Sequence, residues 1–365
     1  MFDPNSAGDG SRRRRRSKQV GSVLLTVSFL GIALAFTTGA PYVIESPGPV
    51  FNALSTMDGK DIIQVKDLKT YETDGQLDVL TVSQRGTPES LPSWGEVAFA
   101  WLSSSRVLIP IDQVFGDNQN SQEQERITTQ MMLDSQRDAI AVALKKEGFK
   151  FESWLAVDSI EKSSPAAKFF KPDDVLLEVN GEQPQSVEQI TNELKRAAPN
   201  TVNFKVKRNG ETVSFDVAPY YDESLKRWRV GLMLNYRYKF PADIKIDLGN
   251  VTGPSAGLIF TLALIDKLEP ESLTGGNHIA GTGTIAPDGS VGPIGGIRLK
   301  MLGAVGSGAT FFLAPRANCD EIVGNIPPGL QVVSVTNIDE ALKALEELRA
   351  AKSAPSKTPL GCPTN

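Results

Sequence analysis

The hydropathy pattern opens with an abrupt switch. Arg12 to Arg16 are five consecutive arginines, Lys18 follows, and residues 21–40, GSVLLTVSFLGIALAFTTGA, then carry no charge. A run of that length, at about 1.5 Å per helical residue, spans a hydrocarbon core of about 30 Å. The pattern predicts a transmembrane helix over 20–41, with the basic tail 1–19 held on the cytoplasmic side and the remainder of the chain outside. The competing reading is a cleaved signal peptide, whose apolar region reaches only about 15 residues. Ala33-Leu34-Ala35 also lies inside the run rather than after it.

Beyond the switch, PYVIESPGPVFNALS is rich in Pro and Gly and reads as an extended exit. QLDVLTVSQ, 76–84, alternates as a strand does, and 95–108 suggests a short amphipathic helix. A polar loop or helix start over 116–126 leads to helical spacing over 131–148, with a glycine stop. In 156–219 the order is strand, Ser-Pro-Ala-Ala, the strand D-V-L-L-E-V-N-G, a helix over Ser186 to Ala197, and two strands joined at Arg208-Asn209-Gly210. Asn-Gly is a hairpin signal. This block resembles a PDZ domain of the bacterial type, with Asp173-Asp174 where that type has Gly-Asp; the alternative is a structural α+β insert. Strands are then predicted at 229–235, 242–247, 278–286, 309–315 and 332–337. Helices are predicted over Ser255–Lys267, Ile297 to Val305 and Ile338–Ala351, an α/β alternation.

Composition adds bounds. With 365 residues, 40% hydrophobic and 22% charged, the chain can build two or three ordinary domains. A net charge of −5 gives no reason to expect nucleic acid, and the arginine block beside an apolar run is a topology signal first. Cys319 and Cys362, without C-x-x-C, exclude a zinc finger and a dense disulfide framework, and leave one bridge open. No metal or cofactor is expected.

Candidate chemistry gathers at T-G-P-S-A-G, Thr252 to Gly257. Gly253 permits a tight turn and Pro254 suits a helix start. Ser255 there is either a helix N-cap or a nucleophile activated by the helix dipole. A nucleophile needs a base. The one histidine, His278, has no carboxylate selected by spacing; Asp247 and Asp288 are recruits at most. A lysine can serve if neutral, but at its ordinary pKa only about 0.04% is neutral at pH 7. Burial without a carboxylate partner lowers that pKa. Lys300, in VGPIGGIRLKMLGAVGSGA, fits this requirement, with Arg298 pointing elsewhere.

G-P-S-A-G with the lysine of P-I-G-G-x-x-x-K, 45 residues after the serine, resembles the Lon-type serine protease domain. The resemblance implies a Ser–Lys dyad of Ser255 and Lys300, with Thr282 of A-G-T-G-T-I-A supporting the lysine. Thr252 stands where that family usually carries an acidic residue. QLDVLTV and the SQRDAIAVAL helix resemble its first strand and first helix, so the PDZ block becomes an insertion. From Pro41 to about Ala350 the chain is similar to membrane-anchored Lon-like proteases, peptidase family S16, with a PDZ insert. The implied fold is an α/β (α+β) protease domain with an inserted β-rich domain. Its divisions are the tail 1–19, the membrane helix 20–41, the linker and first protease part 42–150, the PDZ-like domain 151–222, the catalytic core 223–351 and a disordered tail 352–365. The sequence holds no G-x-x-x-x-G-K-[ST], so hydrolysis without ATP is expected. Expected partners are protein or peptide substrates, the bilayer through residues 21–40 and, by resemblance alone, further copies of the chain. The expected location is the cell membrane, single-pass, with the catalytic domain outside. The rival readings are an inactive PDZ scaffold at the membrane and a Ser–His hydrolase using His278.

Overall fold

A computed structural model describes residues 22–29, 31, 35–116, 120–350 and 361–362. The basic tail 1–19, part of the expected membrane helix and most of the tail 352–365 lie outside the described residues. Residues 22–29 and 35–37 are helical. Among the described residues no helix is long and apolar enough to cross a membrane.

Two sheets organise the chain. The first begins with β1 (Tyr42–Asn52), β2 (Gln76–Arg85), helix α1 (Trp94–Trp101) and β3 (Val107–Pro110). Helix α1 has a complete capping box, Ser93 and Glu96 each satisfying the other's backbone N–H. Helix α2 (Ser121–Lys146) follows. It starts earlier than the apolar spacing suggests, because Asn120 caps it and turns the polar stretch into its first turns.

The chain then leaves for the second sheet: β4 (Glu152–Ile160), β5 (Val175–Val179), helix α3 (Val187–Ala197), β6 (Val202–Arg208), β7 (Glu211–Val217) and β8 (Leu232–Lys239). The strand order is β7-β6-β5-β4-β8, antiparallel throughout, around a separate core that includes Leu155, Val157, Phe170, Phe204 and Val206. Asp173 adopts φ +66°, the left-handed conformation that explains glycine as the usual residue there and that Asp tolerates. Asp174 is buried and accepts from the Arg208 guanidinium at 2.6 and 2.7 Å. Beyond the expected boundary at 222, one further strand joins this sheet. Leu232–Lys239 pairs with β4 along its whole length, from Leu232↔Ile160 to Lys239↔Glu152, so the inserted sheet runs to Lys239. Its alternation told of a strand but not of which sheet would receive it.

The return completes the first sheet: helix α4 (Gly257–Leu268), β9 (His278–Gly281), helix α5 (Ile297–Ser307), β10 (Phe311–Pro315), β11 (Gln331–Val335) and helix α6 (Ile338–Ala350). The order is β11-β10-β9-β2-β1-β3, with β2, β9, β10 and β11 mutually parallel. Leu77 to Leu80 are all buried, although the sequence alternates. Leu77 and Val79 join the cluster holding α4, and Leu80 joins the cluster holding α5. Parallel strands covered on both faces lose the polar side. Helix α4, buried over its whole length, is the central element of the larger core.

Cys319 and Cys362 form a disulfide, which ties the C-terminal segment back to the short helix Cys319–Ile322. It closes a segment of 43 residues, which in the chain-entropy account stabilises the fold by roughly 4 kcal/mol. Dithiothreitol, or Cys362→Ser, is expected to lower the melting temperature by several degrees without changing the circular dichroism of the native state. An unchanged melting temperature means that the bridge contributes nothing.

Candidate active site

The end of the loop before α4 and the first turn of α5 meet at one point. Gly253, at φ +89°, turns the chain, and its N–H donates to the Thr128 carbonyl at 3.0 Å. The Pro254 carbonyl accepts from the Ser135 hydroxyl at 2.9 Å. Ser255 follows in a turn and is partly exposed, and Thr252 is exposed. The helix proper begins two residues after Ser255, with Ala256 at the N-cap position and no side-chain cap. The expected start at Ser255 is therefore early by two residues, and the cap reading of its hydroxyl is replaced by another engagement. Gly257 is required by space: a Cβ there would lie 2.7 Å from Ile285 Cγ2 and 2.8 Å from Ser135 Oγ.

Lys300 Nζ donates to Ser255 Oγ at 2.7 Å and to Thr282 Oγ1 at 3.1 Å. Thr282 Oγ1 in turn donates to the Ser255 carbonyl at 2.9 Å, and the Gly283 N–H donates to the same oxygen at 2.8 Å. The serine backbone and the lysine head are thus fixed by one threonine at the end of β9. Lys300 is 3% exposed and Thr282 1% exposed. Lys300 is buried because α5 turns Ile297, Lys300, Met301 and Ala304 inward on the i, i+3, i+4, i+7 stripe. Arg298 leaves the opposite way and donates to the Ser104 carbonyl at 2.7 Å. Burial alone pushes the Lys300 ammonium down from the ordinary 10.5 to about 8. Uncharged, Lys300 can accept the proton that Ser255 must lose.

The other sequence candidates lie apart. His278 Nε2 is 2.6 Å from Asp78 Oδ2, a carboxylate that its position on the neighbouring parallel strand supplies and that sequence spacing did not suggest. Four residues of strand, about 13 Å, separate His278 from Thr282. Asp247 Oδ1 accepts from the Gly249 N–H and Asp288 Oδ1 from the Ser290 N–H, so both carboxylates shape turns.

Sequence reasoning placed helix α2 by its apolar half but missed its supporting role. Besides Thr128 and Ser135, α2 presents Asp134, which accepts from Asn235 Nδ2 at 2.8 Å, and Asp138, which accepts from the Tyr238 hydroxyl at 2.7 Å. Burial pushes the Asp138 carboxyl up to about 6 despite the Tyr238 bond. One helix therefore holds both the residues before Ser255 and strand β8 of the inserted sheet. The available signal was Ser135, a hydroxyl on the buried stripe it shares with Ala139 and Ala143.

Residues 241–347 match the Lon protease (S16) C-terminal proteolytic domain, and residues 136–218 match the PDZ domain family. Over 123 residues the chain is 31% identical to Lon protease 1 of Bacillus subtilis, covering 32% of this chain and 16% of that protein. Over 93 residues it is 39% identical to Lon protease 2 of Herpetosiphon aurantiacus, covering 25% of this chain and 11% of that one. The chain thus spans less than a fifth of the length of these relatives. The solved PDZ domain of the SdrC-like protein from Listeria innocua shares 17% identity at a TM-score of 0.21, covering 22% of this chain and 92% of its own. The matched segment, 241–347, is similar to the proteolytic domain of serine peptidases. More particularly, 241–347 resembles the S16 proteolytic domain of Lon proteases and 136–218 a PDZ domain, whose five-stranded sheet lies between α2 and α4 in the chain.

Two outcomes follow from this geometry. The native state lacks a proton on Lys300 that the unfolded chain binds between about pH 8 and 10.5, so the stability tied to this group falls as pH drops through that window. Lys300→Met is expected to raise stability at pH 7 by up to ~3 kcal/mol in urea unfolding. A destabilised variant contradicts the uncompensated burial of the charge. Ser135→Ala removes the support of Pro254; the expected result is a roughly tenfold lower kcat with KM unchanged and a stability loss of about 1 kcal/mol. An unchanged kcat removes α2 from the positioning of Ser255.

Proposed function

We propose that the chain is a membrane-anchored serine endopeptidase that hydrolyses peptide bonds through a Ser255–Lys300 dyad without ATP. The observation that carries this reading is the buried Lys300 Nζ at 2.7 Å from Ser255 Oγ. Neutral Lys300 takes the hydroxyl proton as Oγ attacks the carbonyl carbon. Backbone N–H groups of the turn before α4, including that of Ser255, hold the oxyanion; Pro254 has none to offer. The Lys300 ammonium returns the proton to the leaving amine, and water, deprotonated by the same amine, releases the acyl group. Thr282 orients the lysine while its own proton is committed to the Ser255 carbonyl. An ammonium close to neutrality supports this role, since a base works best with a pKa near the working pH.

The anchor is the uncharged segment 21–40, with the arginine block on the cytoplasmic side and the catalytic domain outside. The disulfide of Cys319 and Cys362 supports an oxidising compartment. The PDZ domain assists substrate recognition or regulation. Substrates are extracytoplasmic or membrane-associated proteins in flexible or unfolded form, since this sequence carries no phosphate-binding loop to power unfolding.

The test is casein hydrolysis by the purified protein with and without ATP. Ser255→Ala and Lys300→Ala are each expected to abolish cleavage with the fold retained, and ATP to change nothing. The wild-type kcat/KM is expected to rise about tenfold per pH unit below pH 8 and to level off above it, as the neutral amine becomes the resident form. Full activity in Lys300→Ala overturns the dyad, and wild type equal to Ser255→Ala points to a scaffold.

A further inference from the structure

Helix α1 is held to the sheet by one side only. Val97 and Ala100 pack with Ala40 and Ile44 in a small cluster of their own. Outward, Phe99 is 63% exposed, Trp101 78% and Leu102 76%, with Trp94 also exposed. Trp94, Ala98 and Trp101 share one stripe by the i, i+4, i+7 rule, with Leu102 beside it. Two tryptophans and a phenylalanine left facing outward on eight residues of helix mark a contact surface.

The neighbouring chain identifies the occupant. The ring of Phe36 lies against Gly95, so close that a Cβ on Gly95 would sit 2.4 Å from Phe36 Cε1. The Trp94 N–H donates to the Thr38 carbonyl at 3.3 Å, the Ala40 N–H donates to the Pro92 carbonyl at 2.7 Å, and Gly39 bridges Ser93. Residues 36–40, the last of the uncharged segment, are therefore bound to the first turn of α1 and its approach. Phe36 is itself exposed and joins the aromatic surface.

We propose that the face formed by Trp94, Phe99, Trp101 and Leu102 beds into the interfacial layer of the lipid bilayer as a second membrane contact. The inference rests on the reading of 21–40 as a membrane span. That span ends at residues 36–40, which sets the level of the bilayer surface. Trp101 lies six residues from Gly95, about 9 Å along the helix, so it stays within the headgroup layer, about 6 Å deep on each side, when α1 lies along the bilayer surface. Tryptophan favours that layer, because its ring is apolar and its N–H still finds water or headgroup oxygens. A second copy of the chain would have to reach the same face through the headgroups. The consequence concerns substrate: the loop leaving α1 accepts, at Ser104, the bond from Arg298 on α5, the helix that carries Lys300. The dyad is thereby tied to the bilayer surface, and the substrates it meets are flexible segments close to the membrane.

The experiment uses the full chain, with Trp154→Phe and Trp228→Phe leaving Trp94 and Trp101 as the reporters. It is reconstituted in phosphatidylcholine vesicles with or without bromine on the upper acyl chain. The expected result is co-flotation with the vesicles and a roughly twofold or greater loss of emission in the brominated lipid, as for tryptophan at the interface. Replacing Phe99 and Leu102 by Ser in the same background should weaken that quenching while casein cleavage persists. Flotation with unquenched emission overturns the second contact and leaves the anchor standing. Failure to float overturns both. Unquenched emission that shifts with protein concentration assigns the face to a second copy and likewise overturns the proposal.

Discussion

The site depends on a lysine that is buried with no carboxylate to neutralise it. A charged amine in that position costs free energy, and burial lowers its pKa to about 8 rather than a paired charge holding the proton, so the neutral form comes within reach just above neutrality. Every neighbouring choice follows from this. The contacts to Nζ are two hydroxyls, Ser255 and Thr282, which bind the amine without holding its proton on it as a carboxylate would. Thr282 commits its own hydrogen to the Ser255 carbonyl, so it presents only lone pairs to the lysine. The one arginine on the same turn, Arg298, is turned away by helical geometry and is occupied elsewhere. Had it been three or four positions from Lys300, its charge would have faced the same side.

Much of the candidate site was legible, for reasons that can be named. Ser255 stood out because Gly-Pro before a buried helix is turn chemistry, and Lys300 because a glycine-rich apolar stretch offers no counter-ion. The helix-cap account of Ser255 did not survive, because the chain spends two residues in a turn before the helix begins. His278 ranked behind Lys300 as a base because no carboxylate was selected by its spacing. It has one, in Asp78, brought across by parallel pairing between strands 200 positions apart. Pairings of that kind leave no mark in local spacing, so the reason for ranking His278 second is one that the structure removes. Distance from Ser255 is the reason that stands.

The fold was readable where turns punctuate it and less so where strands change sheets. Asn209-Gly210 and the strands it joins formed as predicted, and Asp173 took the left-handed turn that glycine usually fills. A strand was legible at 229–235, where the structure has 232–239, yet its residues suit either sheet. Only the eight-residue register with β4 assigns it to the insertion. Helix α2 was seen only by its apolar half. Apolar spacing says nothing of its polar residues, and Asp134, Ser135 and Asp138 face protein.

That helix gives the insertion its mechanical meaning. A domain joined by flexible linkers would move without consequence for Ser255. Here β8 is hydrogen-bonded to α2 through Asp134 and Asp138, and α2 is hydrogen-bonded to Gly253 and Pro254 through Thr128 and Ser135. Thr128 and Asp138 are ten residues apart on one continuous helix, about 15 Å, so the two sets of bonds share a rigid body. A shift of β8 must therefore break the Asp138–Tyr238 and Asp134–Asn235 bonds or carry α2 with it. Breaking them leaves Asp138 buried without its donor, which low surrounding polarity makes costly. Moving α2 displaces the turn that aims Ser255 at Lys300, where an ångström of misplacement is enough to lose the proton transfer. The inserted sheet and the nucleophile are thus alternative outlets for the same strain. The position of the insertion, directly after α2, fits that arrangement better than either end of the chain would.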